Sequence, residues 1–255
     1  MKAIILDTET HKLHGEVIQL AYFGIDENSL LSQEDKDSFS MYFRPSEAID
    51  YSAMAIHHII DQDLEMYPPS SKVFIPSDVE YVIGHNIDYD IDAIQRSMGI
   101  GSEVLANLKK VDTLSIIRYL HPEWSSHKLV VCCYRLATEG KVTSKVSWVQ
   151  SIARQSHNAM MDCYLTEILL EYIVNSLNLQ SIEELYQASE HARIPTHIFY
   201  GPHKGKAIKD LFNEDISWLQ YKSKDPYLLR ALNIEMEERS SAPGWHQIHN
   251  ELPFI

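Results

Sequence analysis

The chain has 255 residues, 45% hydrophobic and 23% charged, an ordinary balance for a soluble globular protein able to bury a sizeable core. Its apolar runs are far too short to span a bilayer, and three cysteines make no disulfide framework, so neither a membrane protein nor a disulfide-stapled one is expected. With 22 Lys plus Arg against 36 Asp plus Glu, the net charge of −14 repels polyanions over most of the surface, so any nucleic-acid contact must be local and metal assistance is expected there.

The N-terminus "MKAIILDTET" meets acidic residues before a signal-peptide core could form, so a cytoplasmic protein is expected. Residues 3–7, 16–25 and 38–45 read as strands of a β-rich opening, a meander. "YSAMAIHHIIDQDL" (51–64) reads as a helix, Pro68 and Pro69 break the chain, and "VEYVIGHN" (79–86) reads as a short buried strand ending in a polar cluster. From there the pattern is α/β. "YDIDAIQRSMG" places Ile91, Ile94 and Met98 at helical spacing and stops at Gly99, and "KKVDTLSIIRYL" reads as a strand running into a helix capped by Asp112 or Thr113. "NAMMDCYLTEILLEYIVNSL" (158–177) is a long helix apolar enough to be buried on most faces. The main domain is expected over 1–178, a helical connector over 179–196, and a small C-terminal element with a flexible tail over 197–255.

Asp7 and Glu9 stand two apart at the end of the first strand, so their side chains share a face while Thr8 points away. Two like charges so close destabilise a fold unless a cation sits between them, and hard oxygen ligands suit Mg²⁺ or Mn²⁺. A lone D-x-E also fits an exposed strand end, and Asp88 and Asp90 alone would be helix-capping residues. His157 precedes Asp162 by five residues at the head of the long helix. Five residues turn about 140° past a full circle, so His157 is expected on the loop before the helix, able to swing over a site held by Asp162.

D-x-E at 7–9, H-N-x-x-Y-D at 85–90 and H-x-A-x-x-D at 157–162, in this order, resemble the three motifs of the DEDDh family of 3′-to-5′ exonucleases. The resemblance extends to "AMAIHHI", "VDTLSIIRYLHPEWSSHKL" and "FYGPHKGKAIKDL". It implies a ribonuclease H-like α/β fold, a mixed five-stranded sheet flanked by helices, with a small C-terminal appendage. It also implies Asp7, Glu9, Asp90 and Asp162 as ligands of two divalent cations, Mg²⁺ or Mn²⁺, and His157 as general base. In the sister family a tyrosine stands four residues before the last aspartate; here that position is Asn158, which fits the histidine variant. His11 and Lys12 depart from the small pair that follows D-x-E-T in many relatives, which bears on the shape of the substrate-facing loop.

The implied activity is two-metal hydrolysis that releases mononucleotides from DNA 3′ ends, single- or double-stranded, in repair or recombination. An exoribonuclease on the same fold and a catalytically silent nucleic-acid-binding adaptor are the alternatives. By the same resemblance Thr8, His85 and Asn86 meet substrate, and Leu13 and His14 meet the terminal base or base pair, with Leu13 as a wedge. Segment 127–157 holds Lys128, Arg135, Lys141, Lys145 and Arg154 against Glu139, so 5 − 1 gives +4; it reads as a phosphate-tracking wall or as a solvated helix face. Lys204 and Lys206 stand among glycines in "YGPHKGKAIKD", which lacks the spacing and the Ser or Thr of a phosphate loop but could touch a nucleic-acid backbone.

Cys132, Cys133 and Cys163 have no C-x-x-C spacing, so a zinc site with His157 is rejected and buried thiols are expected. His57 and His58 read as core or surface residues. The ending "NELPFI" lacks the leading glutamine of clamp-docking peptides, so no sliding-clamp partner is expected. A homodimer is compatible with the family, although no segment marks an interface.

Overall fold

The computed structural model describes residues 2–26, 30–31, 38–99 and 103–241. The "NELPFI" ending and most of the tail expected at the C-terminus lie outside them. In chain order the elements are β1 (Ala3–Thr10), β2 (Val17–Gly24), β3 (Ser38–Tyr42), α1 (Tyr51–His57), α2 (Asp61–Leu64), β4 (Tyr81–Gly84), α3 (Ile87–Met98), α4 (Glu103–Ala106), β5 (Lys109–Asp112), α5 (Thr113–Leu120), α6 (Leu129–Thr138), α7 (Val146–Ala153), α8 (Ala159–Leu177), α9 (Ile182–Ala192), α10 (Asn213–Lys222) and α11 (Pro226–Ser241). They fall into two units, one formed by Met1–Ile117 with Ser126–Glu190, the other by Arg118–Ser125 with His191–Ile255.

The sheet of the first unit runs β3-β2-β1-β4-β5; β1 and β2, and β2 and β3, are antiparallel, whereas β4 joins β1 and β5 in parallel. The expected meander therefore supplies three of the five strands of a mixed sheet. β1 is central, which is why "AIIL" is apolar on both faces. Its even positions Ile4 and Leu6 pack with Ile87, Ile91 and Ile94 of α3. Its odd positions face α8, whose Cys163 thiol lies 3.9 Å from the Ile5 carbonyl oxygen. All three cysteines are buried thiols, and burial pushes the Cys132 thiol up to about 12.

One expected element splits. The 51–64 helix ends at His57, because the His57 Nδ1 accepts the Ile59 N–H at 3.0 Å and His58 turns left-handed (φ 60°), and α2 restarts at Asp61. The second unit has its own core of Ile198, Ile208, Leu211, Ile216, Leu219, Leu228, Ala231 and Leu232. Among the described residues no helix is long and apolar enough to cross a membrane.

Candidate active site

The carboxyl ends of the parallel strands β1 and β4 lie side by side, and α3 starts right after β4, so Asp90 in its first turn meets the end of β1. In open α/β sheets this rim is where ligands bind. Thr8 points to the α3 side, as alternation requires, and holds Asp90 there: its N–H and Oγ1 both donate to Asp90 Oδ1, at 3.0 and 2.7 Å. Asp7 and Glu9 point to the α8 side, toward Asp162. His157 stands just before Asn158, the N-cap of α8; it is exposed and left-handed (φ 65°), and its N–H donates to Asp162 Oδ2 at 3.1 Å. That turn folds His157 back over the helix start, so ligand atoms of Glu9, His157 and Asp162 all lie within 4.8 Å of one another.

The electrostatics report the same convergence. Burial, then the charges of Asp90, Asp162 and Glu9, hold the Asp7 carboxyl well above the usual carboxylate range. Burial, then Asp162 and Asp90, push Glu9 up to about 8. Asp90 is pushed to about 7, burial outweighing its two bonds from Thr8, with Asp112 adding a like charge. Burial raises Asp162 against the opposing N–H and charge of His157. Four converging carboxylates, all with proton affinity raised by burial and Asp7 and Glu9 raised further by the charges of the others, are acids short of a counter-charge, and a divalent cation bound by hard oxygen ligands supplies one. The donor set therefore fits Mg²⁺ or Mn²⁺.

The remaining expected residues separate. Leu13 is 77% exposed and His14 is exposed on the loop between β1 and β2, with the His14 ring 6.0 Å from that of Tyr89. Tyr89 OH pairs with Thr10 Oγ1 at 2.7 Å, tying the end of β1 to α3. Asn86 takes the left-handed conformation that opens α3 (φ 76°), its side chain exposed. His85 is turned inward: Nδ1 lies 3.1 Å from Thr113 Oγ1 and Nε2 2.8 Å from the His127 carbonyl oxygen, so both ring nitrogens are spent on the fold. Thr8, at 7% exposure, has likewise committed its hydroxyl. Lys128 and Arg154 are exposed at the ends of α6 and α7, and Arg135 lies 4.0 Å from Glu139. Lys204 and Lys206 belong to the second unit.

Three contributors were not assigned to the site in the sequence. Tyr42 on β3 feels Glu9 and is bonded to Asn158. His57 is buried, with its proton affinity lowered first by that burial and also by His157. Asp112 accepts the Asn86 N–H at 2.8 Å and so fixes the turn into α3. Tyr89, Asp112 and His57 sit inside the quoted segments, a signal that was available; Tyr42 carries none.

The family model described as Exonuclease (RNase_T) matches residues 4–170. The chain belongs to the DEDDh family of 3′-to-5′ exonucleases. It is 24% identical over 219 residues to "Exodeoxyribonuclease 10" of Escherichia coli (strain K12), covering 85% of this chain and 88% of that protein. It is 23% identical over 199 residues to "3'-5' exonuclease DinG" of Bacillus subtilis (strain 168), covering 74% of this chain and 19% of that protein. Among solved structures it resembles "Exonuclease X in complex with 5' overhanging duplex DNA" with a TM-score of 0.54 at 22% identity, over 73% of this chain and 99% of that one. The ribonuclease H-like mixed sheet of the DEDDh exonucleases is thus this chain's fold.

Proposed function

We propose that this chain is a metal-dependent exodeoxyribonuclease that releases mononucleotides from DNA 3′ ends, with Asp7, Glu9, Asp90 and Asp162 holding two divalent cations and His157 acting as general base. The observation that carries this is the meeting of four acids from β1, α3 and α8, each with its proton affinity raised by burial, and Asp7 and Glu9 further raised by the charges of the others. DNA is preferred as substrate because the similar proteins are named or solved with it.

The cations, when bound, supply Lewis-acid stabilisation of the attacking and leaving oxygens of a phosphodiester. His157, exposed on its loop beside Glu9 and Asp162, takes the proton of the attacking water, a role worth about 10² to 10⁴ in rate. Thr8 positions Asp90, and Asp162 positions the His157 turn through its backbone N–H. Leu13 and His14 meet the terminal nucleotide, and Lys128 and Arg154, both exposed, attract phosphate. Removal of damaged or displaced 3′ ends in repair or recombination would use this activity.

The test is hydrolysis of matched DNA and RNA oligonucleotides, labelled at either end, with Mg²⁺, with Mn²⁺ and with EDTA. A metal-dependent ladder shortening 5′-labelled DNA from its 3′ end, with mononucleotide released from 3′-labelled DNA, is expected. Faster cleavage of RNA would make the chain an exoribonuclease, and binding without cleavage a silent adaptor.

A further inference from the structure

The second unit carries chemistry that hydrolysis does not use. Its loop around residues 199–206 is pinched by Ile198 N–H to the Lys206 carbonyl oxygen (2.9 Å) and Gly205 N–H to the Ile198 carbonyl oxygen (2.7 Å). Gly201 and Gly205 supply the left-handed conformations it needs (φ 71° and 88°). Lys204 and Lys206 are both exposed, and Lys204 Nζ donates to the Ser125 carbonyl oxygen at 3.1 Å. His203 turns back instead: its Nε2 lies 3.6 Å from Asp215 Oδ1 and its ring 6.0 Å from that of Trp218, which sets the loop beside α10.

On α10 the side chains of Ile216 and Leu219 are buried, while Trp218, Tyr221 and Lys222, at i, i+3 and i+4, share the outer face. Trp218 is 43% and Tyr221 82% exposed, and Lys222 Nζ lies 5.1 Å from the Tyr221 ring centroid. Over 197–224, Lys204, Lys206, Lys209, Lys222 and Lys224 oppose Asp210, Glu214 and Asp215, so 5 − 3 gives +2 in a chain of −14. Asp215 is engaged with His203. Exposed rings beside exposed lysines suit a ligand that offers flat apolar faces and negative charge together.

We infer that this face of the second unit binds single-stranded nucleic acid, with bases stacked on Trp218 and Tyr221 and phosphates met by Lys206 and Lys222. It rests on the reading that the chain acts on nucleic acid, and adds a contact region that holds none of the four acids. Binding there needs no divalent cation.

The experiment is anisotropy of a dye-labelled oligo(dT) titrated with the full chain in EDTA. W218A/Y221A is expected to weaken binding about tenfold, with W218F restoring the stacking surface. K206E, a change at an exposed position that leaves the core intact, is expected to weaken binding and to lower the salt slope by roughly 0.7. Y51A, an exposed ring on α1, is the control with unchanged affinity. Wild-type affinity in both W218A/Y221A and K206E overturns the inference and assigns the face to another partner. Parallel hydrolysis assays in Mg²⁺ separate the two readings: binding without hydrolysis by wild type sinks the proposed function alone, and hydrolysis with normally binding variants sinks this inference alone.

Discussion

Thr8 grips Asp90 twice, its N–H at 3.0 Å and its hydroxyl at 2.7 Å converging on one carboxylate oxygen. Both bonds favour the charged form and partly offset the burial that pushes Asp90 to about 7. Thr8→Val keeps the shape and the N–H but removes the hydroxyl. Asp90 then holds its proton more tightly, so the rising limb of the pH–rate profile moves to higher pH, with a stability loss of about 1–2 kcal/mol. A shifted kcat/KM profile with Mg²⁺ checks this; a lower but unshifted profile would reduce Thr8 to packing.

The raised carboxylates make the fold itself pH-dependent. In the unfolded chain Glu9 and Asp90 ionise in the ordinary carboxylate range, whereas folded they hold protons to about 8 and about 7. Their stabilising protonation is complete at acid pH and is lost as pH rises through those folded values. In EDTA the melting temperature should therefore fall between about pH 5 and 8, and E9Q should flatten the fall. Divalent cation reverses the sign: its stabilisation should grow over the same window as sites deprotonate. Melts at pH 6, 7 and 8 with and without Mg²⁺ decide this, and a Mg²⁺ gain that shrinks with pH would contradict it.

How much of this was legible in the chain depended on the range of the interaction. Period-2 alternation alone puts Asp7 and Glu9 on one face, and a strand-to-helix junction puts Asp90 at a strand end. His85 reads as a substrate contact in a linear motif, yet its nitrogens are spent on partners 28 and 42 residues away, which no local pattern encodes. The break at His58 has no Gly or Pro to announce it and rests on a side-chain bond from His57 to the backbone two residues on. α11 had a usable signal, since Asp225 accepts the Tyr227 and Leu228 N–H groups just across Pro226, an N-cap before proline at the first helical position.

His157 occupies a left-handed position, so alanine there would mix strain with loss of the ring. Asparagine tolerates that conformation and cannot serve as a base near neutral pH. His157→Asn should lower kcat by about 10² to 10⁴, with Mg²⁺ affinity by calorimetry changed less than about tenfold, because the four acids remain and residue 157 still offers its N–H to Asp162. Equal losses of both would make His157 a ligand.

Leu13 projects from a loop closed by His11 N–H to the Glu16 carbonyl oxygen (3.1 Å) and Gly15 N–H to the Lys12 carbonyl oxygen (2.8 Å). A Cβ at Gly15 would come within 2.7 Å of that Lys12 oxygen, so the loop is set tightly enough to present Leu13 outward. At 77% exposure Leu13→Ala should leave stability within about 0.5 kcal/mol. A wedge matters only where a base must be unstacked from a partner strand, a cost of about 1–3 kcal/mol. Cleavage of blunt duplex should slow about fivefold or more, while single strands are cleaved at nearly the wild-type rate; equal slowing of both would remove the wedge.

Asp112 supports the site from beneath. Its Oδ1 accepts the N–H groups of Asn86 (2.8 Å) and Leu114 (3.1 Å), its Oδ2 accepts Ser115 Oγ (2.5 Å), and its own N–H donates to the buried Ser189 Oγ (2.8 Å). Asn86 opens the helix that carries Asp90, and the Asp112 charge is one of the influences raising Asp90. Asp112→Asn trades one acceptor oxygen for an NH₂ facing donors, so at least one bond is lost at a cost of about 1–3 kcal/mol. It also removes a like charge, which lowers the pH at which Asp90 releases its proton. Melting should therefore show a destabilised protein whose Mg²⁺ binding begins at lower pH than in wild type. A protein that only melts earlier, with an unmoved pH dependence of Mg²⁺ binding, would confine Asp112 to holding the turn.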